Sequence, residues 1–105
     1  MFECHVTIAL EHGDLGQQVA SALHWSTSEI ERDPLLGKAS YFYLTTHDTD
    51  LVRMTTRMRE CVDALQAIGV PVVREKIEVI IHDTKKKGVP ASLSTQVFEG
   101  KLIGR

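Results

Sequence analysis

Glu3, His5 and Thr7 stand two apart in a run that otherwise reads Phe2, Cys4, Val6 and Ile8. In an extended chain, side chains two apart share a face, so a carboxylate, an imidazole and a hydroxyl line up on one side of a strand. An imidazole beside charged neighbours is suited to taking and releasing a proton near neutral pH. A second alternating run sets Arg74, Lys76 and Glu78 on one side, and a third places Tyr41 and Tyr43 together. Guanidinium and ammonium groups suit an acidic or phosphorylated ligand, and tyrosines suit stacking or hydrogen bonding. These residue types make His5 the candidate acid or base, with Glu78 and Lys76 as its electrostatic partners. Glu3, Thr7, Tyr41, Tyr43 and Arg74 are the candidate ligand-binding residues.

Other readings of the same residues stay open at this point. Antiparallel sheets often expose one polar face to water, and Lys76 and Glu78 would then make ordinary cross-strand ion pairs. Glu3, His5 and Glu78 would suit manganese, iron or zinc if they converged. The spacing does not demand a metal, and a salt-bridged histidine is the expectation, so no metal and no cofactor is assigned. Cys4 and Cys61 fall on expected core faces without a Cys-x-x-Cys pair, which reads as two reduced, buried thiols.

The elements that position these groups follow from periodicity. Phe2 to Leu10 alternates over its whole length and reads as a half-buried strand. Asp14 and Gln17 resemble a capping box, and Leu15, Val19, Ala22 and Leu23 recur at helical spacing. Trp25 to Glu31 reads as a short polar strand with Thr27, Glu29 and Glu31 on its open side. Asp33-Pro34 and Gly37 mark a turn, with Leu35 and Leu36 near its tip. Ala39 to Thr46 is rich in residues that favour the pleated state, and its open side carries Tyr41, Tyr43, Thr45 and His47. Thr49 to Ile68 is the longest helix, capped by Asp48 or Thr49 and striped by Leu51, Met54, Met58, Val62, Leu65 and Ile68. Gly69 suits a left-handed C′ position, and Pro71 stops the helix. Val73 to Ile81 is a strand with Val73, Glu75, Ile77, Val79 and Ile81 inward. The division expected is a domain over 1–84 and, over 85–105, a C-terminal arm or extra strand that opens with Lys85, Lys86 and Lys87.

The order βαββαβ resembles the ferredoxin-like arrangement. That resemblance implies an α+β fold, an antiparallel sheet of spatial order 4-1-3-2 and two helices on one face. His5-Val6-Thr7 also resembles the His-x-Thr motif of the 2H phosphoesterases, whose paired motifs grip and cleave phosphates. In that family the histidine serves as acid or base and the hydroxyl holds phosphate. His82-Asp83-Thr84 is a second match and His47-Asp48-Thr49 a related triplet.

The formal charge of −2 and pI near 6.2 provide no general attraction to nucleic acid or anionic membrane, so neither is an expected partner. No apolar run approaches the roughly 18 residues of a membrane helix, and the N-terminus lacks the basic and apolar stretches of a signal peptide. A cytoplasmic protein is therefore expected. Two functions fit: a small domain binding an anionic ligand on its open sheet face with acid–base chemistry at His5, or a non-catalytic homo-oligomeric interaction module. The sequence does not decide whether the protein is an enzyme.

Overall fold

The computed structural model describes residues 1–30, 40–84 and 90–100. Its elements are β1 (Phe2–Ala9), α1 (Gly13–Leu23), β2 (Ser26–Ile30), β3 (Tyr41–Asp48), α2 (Leu51–Ala67), β4 (Val72–Thr84) and β5 (Pro90–Gly100). They form an α+β fold with one five-stranded sheet in the order β2-β3-β1-β4-β5, every neighbouring pair antiparallel. The first four strands thus follow the expected 4-1-3-2 order, read from the other edge. The difference is β5, which continues the sheet beyond β4.

The apolar alternation of β1 decides which face is covered. Cys4, Val6 and Ile8 are fully buried, in one cluster with Phe42 and Leu44 of β3, Val72 and Ile77 of β4, Val19 and Ala20 of α1, and Met54, Met58, Cys61, Val62 and Leu65 of α2. Both helices therefore pack on one face, and β1, in the middle of the sheet, presents its odd-numbered residues on the other. Leu51 and Ile68, expected in the α2 stripe, are instead exposed at the two ends of that helix.

Four local expectations are corrected. The N-cap of α1 is His12, with no side-chain cap bond, so Asp14 and Gln17 form no capping box. Gln17 instead bonds Ser21 and accepts from Thr27 Oγ1 at 2.8 Å. The cap of α2 is Asp50, whose carboxylate accepts from the Val52 and Arg53 amides, because β3 runs on through His47 and Asp48. In β2, Thr27 and Glu29 pair with the core-facing Leu44 and Phe42, so they lie on the helix side and Ser26 and Ser28 on the open side. The reason is upstream: His24 takes the left-handed conformation and drives Trp25 into the core, which sets the phase of the strand. In β4 a bulge between Arg74 and Val72 shifts the register opposite Thr7 and Ile8. One extra residue on the bulged strand makes Val72, not Val73, the buried partner of Ile8. Gly69 takes the left-handed conformation as expected (φ 82°), and the Gly69 and Val70 amides close the end of α2 on Gln66 and Leu65. Glu31, the Asp33–Gly37 turn with Leu35 and Leu36, Ala39 and Lys85–Lys87 lie outside the described residues.

Candidate functional site

Register brings the chemistry-bearing residues into three cross-strand rows running β3–β1–β4. The first is His47–Glu3–Glu78, the second Thr45–His5–Lys76 and the third Tyr43–Thr7–Arg74. Ser28 of β2 extends the third row, and Glu99 of β5 stands opposite Lys76. Directly paired side chains lie about 5 Å apart at Cβ, so each row is a chain of possible contacts.

The second and third rows, with Ser28, line a cavity of about 220 Å³. This face is not a flat wet surface: Thr7 is 2% exposed, Arg74 5%, and Tyr41 and Tyr43 are also buried. Of the residues singled out from sequence, His5, Thr7, Tyr43, Arg74 and Lys76 line the cavity. Glu3 and Glu78 do not line it; they hold His5 and Lys76 from the first row. Tyr41 shares the face but sits at the far end of β3, opposite Ala9, and is not part of the lining. Ser28 and Thr45 complete the lining without having been chosen. Ser28 was hidden by the phase of β2, whereas Thr45 and His47 already stood on the open side of β3 and lacked only a register.

Glu3 and Glu78 face each other directly, an arrangement that repels by itself. Cations and imidazoles relieve it. Lys76 Nζ lies 2.6 Å from Glu78 Oε1, His5 Nε2 is 2.8 Å from Glu3 Oε1 and 3.8 Å from Glu78 Oε1, and His47 Nε2 is 2.6 Å from Glu3 Oε2. Partial burial pushes the Glu3 carboxyl up, but the charge and hydrogen bonds of His5, joined by those of His47, hold it below its usual range. On the third row, Arg74 Nη2 is held by Glu99 at 2.8 Å, while its buried Nε has no hydrogen-bond acceptor among the described residues.

These contacts fix the protonation pattern of His5. A carboxylate only accepts, so His5 Nε2 must carry a hydrogen and donate it to Glu3. His5 Nδ1 lies 3.0 Å from Thr45 Oγ1. In neutral His5 that nitrogen is the lone-pair side, and the Thr45 hydroxyl donates to it; in the cation the direction reverses. Either direction of the Thr45 bond leaves both ring contacts in place.

On the helix side, Asp48 anchors α2 to the end of β3. Its carboxylate accepts from Arg53 Nε at 2.8 Å and Nη2 at 2.5 Å, and Arg57 reaches it at 3.3 Å. Arg57 also donates to the His47 carbonyl at 2.9 Å and to Thr46 Oγ1 at 2.8 Å, which fixes the backbone that carries His47.

The second His-x-Thr triplet is not brought to the first. His82 pairs with Ser92 at the far end of β4, six positions beyond Lys76, and at about 3.3 Å per residue that is roughly 20 Å from His5. Among the described residues, no group of three or more His, Cys, Asp or Glu side chains is arranged to hold a metal ion, and no helix is long and apolar enough to cross a membrane. No protein-family model matches the chain, and no curated protein is significantly similar to it in sequence.

Proposed function

We propose that the polar sheet face binds a small phosphate-bearing ligand, and that His5 performs acid–base chemistry on it, within a ferredoxin-like domain extended by one strand and working in the cytoplasm. The observation that carries this reading is the composition of the cavity wall. Among the described residues, it is lined by Arg74, Lys76 and His5 together with the hydroxyl-bearing Thr7, Ser28, Tyr43 and Thr45, and by no carboxylate. Charge-assisted bonds to phosphate oxygens are the strong ones, and a wall of cations and hydroxyls supplies them from several sides. The glutamates paired with these groups stand beside the lining on the same sheet face, Glu3 orienting His5, Glu78 orienting Lys76 and Glu99 orienting Arg74.

Titration with phenyl phosphate, followed by heteronuclear NMR, tests the reading. Shifts should concentrate in β1, β3 and β4 around His5, Thr7 and Arg74, and Lys76→Met should weaken binding by roughly tenfold or more. Unchanged spectra at millimolar ligand, or unchanged affinity in the variant, would overturn it.

A second reading, assembly of copies of the chain through the β5 side of the sheet, is supported by Val97 and Phe98. Both are about two-fifths exposed on the edge strand β5. Light scattering at high concentration decides it: a monomer excludes this reading and leaves the first untouched.

A further inference from the structure

The hydrogen bonds around His5 limit how it can act. Nε2 is committed to Glu3, so Nδ1 is the only basic position the ring has, and Nδ1 is in contact with Thr45 Oγ1. Thr45 also lines the cavity, in the same cross-strand row as His5 and Lys76 and one row from Arg74. A carboxylate orienting a base and a base in contact with a hydroxyl is the arrangement that activates an oxygen nucleophile.

Resting on the phosphate-binding reading, we propose that Thr45 Oγ1 is a nucleophile, activated through His5 by Glu3, that takes the phosphoryl group of a phosphate monoester held by Lys76 and Arg74. Thr45 Oγ1 forms a bond to phosphorus as the bond from phosphorus to the ester oxygen breaks. The threonine proton passes to His5 Nδ1, and the imidazolium is stabilised by Glu3. The departing oxygen, in line on the far side of phosphorus from Thr45, takes a proton from solvent and leaves as the alcohol, while His5 keeps the threonine proton. In the second half a water attacks phosphorus from that far side and gives its proton to solvent. The threonyl oxygen leaves and recovers the proton held on His5 Nδ1, and inorganic phosphate is released. The protein ends unchanged, one water is consumed, and no oxidant or reductant takes part. Charge developing on the phosphoryl oxygens is met by Lys76 and Arg74, groups already in place before reaction.

The test uses the full chain and 4-nitrophenyl phosphate. Release of 4-nitrophenol should fall roughly 100-fold or more in Thr45→Ala and in His5→Gln, while Thr45→Ser retains most of the rate. Rapid acid quench followed by peptide mass mapping should find one phosphoryl group on Thr45. Phenyl phosphate should still bind Thr45→Ala, weakened by the one lost hydroxyl contact and far less than turnover is, which separates this proposal from the binding site beneath it. Turnover indifferent to Thr45→Ala, a phosphoryl group on another residue, or phenyl phosphate binding without any turnover would each overturn the nucleophile and leave the binding site standing. Loss of phenyl phosphate binding from the unmodified protein would overturn both.

Discussion

Behind the site, α1 lies so close to the sheet that one methyl group decides the fit. A Cβ placed on Gly16 would lie 2.7 Å from Ile8 Cδ1 and 3.1 and 3.2 Å from two ring carbons of Phe42. Carbon atoms prefer about 3.5–4.0 Å, so the approach to Ile8 is short by about 1 Å. Ile8 is fully buried, and its methyl cannot turn out to solvent. Alanine in a helix gains at most about 1 kcal/mol over glycine, whereas overpacking a core costs about 1–3 kcal/mol. Gly16→Ala should therefore lose about 1 kcal/mol, read as a lower urea midpoint at unchanged slope. Ile8→Val removes Cδ1 itself and by itself costs about 0.5–1.5 kcal/mol. In that background the main clash is gone, and Gly16→Ala should become neutral or stabilising by up to about 1 kcal/mol. The double-mutant cycle should then show coupling of about 1–2 kcal/mol, outside the roughly 0.5 kcal/mol scatter of independent sites. Additive losses would refute the close approach of α1 to β1 as the reason for glycine here.

Three further outcomes follow from the charges and thiols. Hydrogen bonds from Arg53, which outweigh burial, hold the Asp48 carboxyl well below its usual range. Its folded value is thus under the unfolded one near 3.9, so its stabilisation is present above that pH and is lost as pH falls further. Asp48→Asn should be less stable at pH 7 and lose less between pH 5 and 2, measured by urea midpoints; parallel pH profiles would contradict the ion-pair role. Glu3→Gln should remove the fixed Nε2–H tautomer of His5, seen in long-range nitrogen–proton NMR, because an amide can present either a donor or an acceptor to the ring; an unchanged tautomer pattern counts against Glu3 as its cause. Burial pushes the Cys61 thiol up to about 12 and Cys4 further still, so neither should react with a disulfide reagent at pH 8 until urea unfolds the chain. Rapid native labelling would show that the core is open.

The legible part of the site was the part written in one strand at a time. Period two in Phe2 to Ile8 placed Glu3, His5 and Thr7 on one face, and the same rule set Arg74, Lys76 and Glu78 opposite the core in β4. What periodicity cannot express is phase set from outside the strand. Ser28 reaches the cavity because His24 turns left-handed and buries Trp25, and Val72 replaces Val73 in the core because of a bulge that only pairing with β1 reveals. Register is the larger loss. Thr45 was visible on the open side of β3, but its contact with His5 depends on β3 pairing with β1 across a separation of forty positions. Burial of Tyr43, Thr7 and Arg74 on a face read as open is likewise a property of the assembled sheet.

Partly buried charge on a central strand is costly unless each group is matched, and here each match serves two partners. Glu3 serves His5 and His47, His5 serves Glu3 and Thr45, and Glu78 serves Lys76 while standing 3.8 Å from His5. Removing any one leaves another group without its counterpart, so single substitutions within the rows should cost more than the contact they delete, and pairs of them should cost less than their sum. A merely solvated face has no such constraint, because water replaces each lost partner. Strong non-additivity between Glu3 and His5 would thus mark the rows as one unit, poised to hold an imidazole at a fixed angle beside a cavity walled by cations.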